Sequence, residues 1–240
     1  MAPNTIKKED HKHRENNMLD SFVIAISGPS GCGKTSLVKS VAAMLDDAAM
    51  LFFDDWADDP PGIETWIAEP DADYGRWQTP ELAEALSTLR HGKSITVPEL
   101  SPSVGTDRSN IVTPAPFIVI EEPYGRLRRD TANLLDLVVC IDIPLHIALA
   151  RRLLRHTRTL SEMANAAPDE KNAFKHLHWS HEFFEEFLEF YIDKGHLAYA
   201  NQLRRLKESS DLVVEGVQSI DILTHDIVEA IQLAYANRSD

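Results

Sequence analysis

Cysteine is scarce in this chain, with two in 240 residues, Cys32 and Cys140. So few thiols exclude a disulfide scaffold and fit a reducing compartment, so a cytoplasmic location is expected. Basic residues are outnumbered, 24 Lys and Arg against 38 Asp and Glu, for a formal net charge of −14. That balance argues against nucleic-acid binding and against docking on an anionic membrane. No apolar run is long enough for a membrane span, and no charged-then-apolar leader opens the chain. Internal repeats and low-complexity tracts are absent as well. What remains is a length that suits one α/β domain with a full core. Residues 1–20 are polar with mixed charge and are expected to be a frayed or disordered tail. Residues 21–240 are expected to be a single domain.

Glycine occurs only ten times, yet three glycines stand together in Gly28-Pro29-Ser30-Gly31-Cys32-Gly33-Lys34-Thr35. An apolar run over 22–26 precedes this stretch and reads as a buried strand. Leu37, Val41, Met44 and Leu45 follow at helical spacing. Strand, G-x-x-x-x-G-K-T and helix together predict a phosphate-binding P-loop. Glycines let the backbone turn its N–H groups inward around a phosphate, and the helix N-terminus adds unpaired donors. The binding residues expected are Gly28, Pro29, Ser30, Gly31, Cys32, Gly33, Lys34, Thr35 and Ser36. In such a loop Lys34 reaches the β- and γ-phosphates and the Thr35 hydroxyl ligates Mg²⁺, so ATP and Mg²⁺ are the cofactors expected.

Continuous apolar runs at 49–53, 117–120, 137–141 and 212–214 predict further buried strands. They alternate with helical patterns, which predicts a three-layer α/β fold with a five-stranded parallel sheet. Thr79-Pro80-Glu81 reads as a helix start with a hydroxyl cap, and Gly92 as its close. A brief strand is expected at 94–97, and a loop or an excursion from the sheet over 99–115. Carboxylates end several strands: Asp54-Asp55, Glu121-Glu122 and Asp142. Ligands of open α/β sheets sit beyond those strand ends, so these acids are placed for chemistry. Residues 46–73 carry ten acids and no Lys or Arg, which disfavours an acceptor that is already phosphorylated. The helix after Pro144 bears Ile147, Leu149, Leu153 and Leu154 with Arg151, Arg152 and Arg155, and is read as an arginine-bearing lid. Lid and helical insertion together span about 151–207. Within it, Phe183, Phe184, Phe187, Phe190 and Tyr191 are too many for one narrow stripe. A helix buried on more than one side is expected there, in preference to a nucleobase slot. His176, His178 and His181 lack the further ligands that tetrahedral zinc needs.

The guanine motif N-K-x-D and the ABC signature L-S-G-G-Q are absent. A small P-loop domain with strand-end carboxylates and an arginine-rich helix fits phosphoryl transfer to a small hydroxyl acceptor. Asp54 is the candidate base, Glu121 the candidate metal residue, and Arg151 and Arg152 the candidates for the triphosphate. Asp54 also stands among the metal candidates with Thr35 and Glu121.

The ordered set of motifs resembles the uridine kinase, nicotinamide riboside kinase and phosphoribulokinase group. The stretch from Ile26 to Thr35 is similar to I-S-G-x-S-G-S-G-K-T, and Phe53-Asp54-Asp55-Trp56 to Q-D-D-F. Ile118-Val119-Ile120-Glu121 is similar to V-x-E-G, Leu149-Ala150-Arg151-Arg152 to the lid's L-x-R-R, and Asp211-Leu212-Val213-Val214 to A-D-x-V-V. The resemblance implies an ATP-dependent kinase of a nucleoside or similar small alcohol, with Asp54 as base and Glu121 at the metal. It places Asp55, Arg108 and Arg155 as candidate acceptor-side residues. Pro98-Glu99-Leu100-Ser101 and Gly105-Thr106-Asp107-Arg108 stand where uridine kinases carry P-x-Y-D and T-H-S-R, so the acceptor stays open. The alternatives are a nucleotide kinase and an ATP-binding regulatory module. A homodimer through the aromatic tract is a further expectation.

Overall fold

The computed structural model of the chain describes residues 20–56, 63, 66–102, 104–166 and 168–238, apart from the side chains at 170, 171 and 173–180. The tail expected over 1–20 lies outside these residues except for Asp20, whose carbonyl accepts from Arg238 at 3.0 Å. The chain runs through β1 (Phe22–Ser27), α1 (Lys34–Met44), β2 (Ala48–Phe52), α2 (Pro80–Arg90), β3 (Ile95–Thr96), β4 (Ile111–Val112) and β5 (Phe117–Glu121). It continues with β6 (Leu137–Asp142), α3 (Leu145–Asn165), α4 (Glu170–Phe190), α5 (His196–Ser209), β7 (Leu212–Glu215) and α6 (Ile220–Asn237).

Five strands pair in parallel in the order β2-β5-β1-β6-β7. β1 is central and buried along its whole length because alternate side chains enter two different cores. Phe22, Ile24 and Ile26 pack with Leu37 and Val41 of α1 and Ile227 and Ile231 of α6. Val23 and Ala25 face Leu82, Leu86 and Leu89 of α2, together with Trp66, Tyr74 and Trp77. Carboxylates also work at the strand beginnings. Asp136 accepts the Val23 N–H at 2.8 Å and pairs with Arg90 at 3.0 Å. Asp211 accepts the Val138 N–H at 2.7 Å and pairs with Arg126 at 2.8 Å. Both acids give neighbouring strand starts the partners they otherwise lack.

Several expectations need correction. The strand at 94–97 is β3, paired antiparallel with β4 in a separate two-stranded sheet, so 99–115 is in part an excursion from the main sheet and not a plain loop. The Thr79 hydroxyl makes no capping bond; it accepts from buried Arg128, while the Thr79 N–H donates to Asp130 at 2.7 Å. Met44 and Leu154, named in the apolar patterns of α1 and α3, are 49% and 50% exposed. The aromatic tract is two helices joined by a π turn, Tyr191–Gly195. Among its described aromatic residues only Phe187 is buried, and Ile192 is 73% exposed. α4 packs in a hairpin with α3, so one aromatic stripe is covered instead of two.

Candidate active site

The cavity lies beyond the carboxyl ends of β1, β2 and β5, under the α3–α4 hairpin, and has a volume of about 520 Å³. On one side stands the loop after β1. Gly28, Gly31 and Gly33 take φ of 146°, 86° and 111°, conformations that L side chains resist. A Cβ on Gly31 would stand 2.2 Å from the Ala148 carbonyl oxygen, so the loop lies directly against the start of α3. α1 begins at Lys34 with its unpaired N–H groups at the cavity, and Ser30, Gly31, Gly33, Lys34, Thr35 and Ser36 form the lining. Gly28, Pro29 and Cys32, expected as binding residues, stand behind that lining. Gly28 donates its N–H to the Pro123 carbonyl at 3.4 Å, and the Pro29 carbonyl accepts from Lys34 at 3.3 Å. The Cys32 side chain fills the core, and burial raises its thiol pKa.

Glu121 ends β5 beside the loop. Its carboxylate accepts the Thr35 hydroxyl at 2.8 Å and stands 3.8 Å from the Lys34 ammonium. Burial pushes this carboxyl above its usual range, with Lys34 and Thr35 pulling the other way and Asp54 pushing with the burial. Asp54 lies in the 3₁₀ turn Phe53–Asp55 after β2, exposed at the cavity wall. Its neighbour points elsewhere. Asp55 is buried, accepts the Ser101 N–H at 2.8 Å and pairs with Arg108. Asp55 and Arg108 therefore clamp β2 to the β3–β4 excursion, and neither joins the cavity lining expected of them.

Arg151, Arg152 and Arg155 of α3 divide as well. Arg152 and Arg155 line the cavity. Arg152 covers the Phe187 ring at 4.2 Å and donates to the Tyr199 hydroxyl at 2.6 Å. Arg151 is off the lining. It donates to the Cys32 carbonyl at 3.3 Å and the Gly216 carbonyl at 3.1 Å, binding the loop's outer side to the turn after β7.

Across from the loop, Phe53, Trp77, Tyr124, Ala198 and Gln202 form a wall that the spacing of residues does not announce. Gln202 donates to the Pro123 carbonyl at 2.8 Å, a link across 79 positions. Behind the wall lies a fully buried cluster. Arg128 stands 3.4 Å from Glu122, and Glu122 accepts the Thr131 hydroxyl at 3.0 Å and the Tyr124 N–H at 3.3 Å. The Arg128 guanidinium also covers the Phe53 ring at 4.9 Å. The Glu122-Pro123 pair that follows the metal candidate thus belongs to the scaffold.

Thr35, Glu121 and Asp54 supply hard oxygen donors around one corner of the cavity. Among the described residues no group of three His, Cys, Asp or Glu surrounds an ion by itself. One or two carboxylates with a hydroxyl, completed by phosphate oxygens, is the donor set that suits Mg²⁺. Of the three histidines weighed for zinc, the side chains of His176 and His178 lie outside the described residues; His181 is exposed, 4.0 Å from Glu185.

No family model matches the chain. A uridine kinase of Borrelia duttonii is 23% identical over 195 residues, covering 80% of this chain and 85% of that protein. A uridine-cytidine kinase of Dictyostelium discoideum is 26% identical over 144 residues, 59% of this chain and 31% of that one. The chain is thus similar to several uridine kinases at 23–28% identity. The chain is also 30% identical over 139 residues to inorganic pyrophosphatase TTM2 of Arabidopsis thaliana, of which it spans only 20%. Among solved structures, a candidate fructose transport system kinase from Silicibacter superposes with a TM-score of 0.48 at 18% identity, covering 83% of this chain and 92% of that one.

Proposed function

We propose that the chain is a kinase that moves the γ-phosphoryl group of ATP to a hydroxyl of a small unphosphorylated acceptor. One observation carries this reading: a carboxylate, Asp54, lines the same cavity as the glycine loop with its Lys34 and Thr35, which would hold the phosphates. The loop's N–H groups and the N-terminus of α1 bind the triphosphate, and Lys34 moves from Glu121 to the β- and γ-oxygens. Thr35 and Glu121 would hold a magnesium ion, with Asp54 as a further oxygen donor. When bound, that ion neutralises charge on the β- and γ-phosphate oxygens. Asp54 orients the acceptor hydroxyl and takes its proton. The hydroxyl oxygen forms a bond to the γ-phosphorus, the bond from phosphorus to the β–γ bridging oxygen breaks, and ADP leaves with that electron pair. Arg152 and Arg155, on the α3 lid, face the charge that spreads over the transferring group, and the closed hairpin excludes water. Arg151 keeps the loop in shape from outside.

A comparison of Lys34→Ala with Asp54→Asn tests the assignment. Lys34→Ala weakens nucleotide binding and turnover together. Asp54→Asn leaves nucleotide affinity unchanged and lowers turnover by about 10²-fold or more. Normal transfer by Asp54→Asn removes the base from this account.

A further inference from the structure

Arg152 stands where three walls of the cavity meet. Its Cβ lies 3.3 Å from the position a Cβ on Gly31 would take, so its stem starts against the phosphate loop. Its guanidinium covers the Phe187 ring of α4 at 4.2 Å and donates to the Tyr199 hydroxyl of α5 at 2.6 Å. All three side chains line the cavity. Neither partner carries a charge. Arg90, Arg108, Arg126, Arg128 and Arg129 each stand against a carboxylate, whereas Arg152 pairs with none among the described residues. A ring face and a hydroxyl oxygen steady a guanidinium and leave its charge uncancelled for an anion.

The Tyr199 hydroxyl is a fixed point because α5 is tied down beside it. Asn201 donates to the Ala68 carbonyl at 3.1 Å, and Gln202 donates to the Pro123 carbonyl at 2.8 Å. That second carbonyl also receives the Gly28 N–H at 3.4 Å, so the helix that carries Tyr199 is joined to the start of the loop. An arginine side chain is long and loses much rotamer freedom when it is ordered. Holding it before the ligand arrives removes that cost from the binding step.

Resting on the reading of this cavity as an ATP site, we infer that Tyr199 is a positioning residue: its hydroxyl holds Arg152 over the loop, ready for the γ-phosphate. Tyr199 acts through Arg152 and not by its own contact with the nucleotide. The held cation adds to the affinity for a triphosphate and not to that for a diphosphate, which lacks the group it meets.

The test measures, by calorimetry on the full chain with Mg²⁺, the affinities for adenylyl imidodiphosphate and for ADP. Tyr199→Phe keeps the ring and deletes the hydroxyl. It is expected to weaken binding of the triphosphate analogue about tenfold and to leave ADP unchanged. Arg152→Met weakens the analogue at least as much, and adding Tyr199→Phe to it has no further effect. Equal weakening of analogue and ADP by Tyr199→Phe gives the hydroxyl a merely structural role and overturns the inference. Unchanged affinity for both overturns it too. A loss that persists in the Arg152→Met background makes Tyr199 a direct ligand, which also overturns it. The kinase reading is judged separately, by ADP release from ATP with a panel of alcohols that includes uridine and glycerol. If none stimulates release while the nucleotides bind, that reading fails alone and the affinities still decide the role of Tyr199. A wild-type chain that binds neither nucleotide overturns both.

Discussion

Residues 28–35 and the wall opposite them enclose one cavity but are built by different means. The phosphate side is made mainly of backbone. Three glycines in conformations closed to other residues turn a short contiguous stretch inward, and α1 adds its free N–H groups. The acceptor side is made of side chains from the turn after β2, the segment before α2, the turn after β5, α4 and α5. A backbone cradle recognises what every triphosphate shares and tolerates divergence around it. A side-chain wall changes its ligand with a few substitutions and leaves the fold untouched.

The sharpest way to break the comparison is to give the loop a side chain. Gly31→Ala forces a Cβ to within 2.2 Å of the Ala148 carbonyl and is expected to abolish measurable nucleotide binding. Gly33→Ala meets nothing within 4 Å and costs only backbone strain, about 1–3 kcal/mol. Nucleotide titration of the two variants checks the pair. If Gly33→Ala is as damaging as Gly31→Ala, packing against α3 is not what shapes the loop. On the other side, Arg128→Met leaves Glu122 buried without its cation. Denaturant unfolding should show a loss of about 3–5 kcal/mol, and a well-packed apolar replacement of both partners should recover most of it. Retained stability in Arg128→Met would show that the acceptor wall stands without this pair.

The smallest effect concerns pH. The Glu121 carboxyl titrates higher in the folded, ligand-free chain than in the unfolded one, because burial opposes its charge. The folded state therefore holds the proton longer, and stability falls as pH rises from the ordinary carboxylate range through the raised value. Glu121→Gln removes that part of the slope. A thermal melt series at several pH values should show a flatter profile for the variant, and an unchanged profile would place the titration elsewhere.

The parallel sheet was legible because each inner strand is buried on both faces and is spelled as an unbroken apolar run. The loop was legible because its function requires glycine at fixed spacing, and Asp54 and Glu121 because strands of such a sheet end at the site. Arg151 shows where spacing stops: adjacent arginines on a helix point in different directions, and only Arg152 and Arg155 reach the cavity lining. Asp55 and Arg108 fill each other's bonding needs, which neighbouring residues in sequence do not disclose. The aromatic wall stayed hidden for a related reason. Phe53, Trp77 and Tyr124 are buried core residues that also line the cavity, and nothing in their spacing marks them as both.

The relatives include kinases and a pyrophosphatase, so the central claim turns on where the γ-phosphate goes. The direct measurement incubates the chain with ATP labelled in that group, Mg²⁺ and the acceptor panel, then separates phosphate ester from inorganic phosphate. This account predicts label in an ester of the acceptor, lost in Asp54→Asn. Release of all the label as inorganic phosphate, whatever acceptor is present, would contradict it.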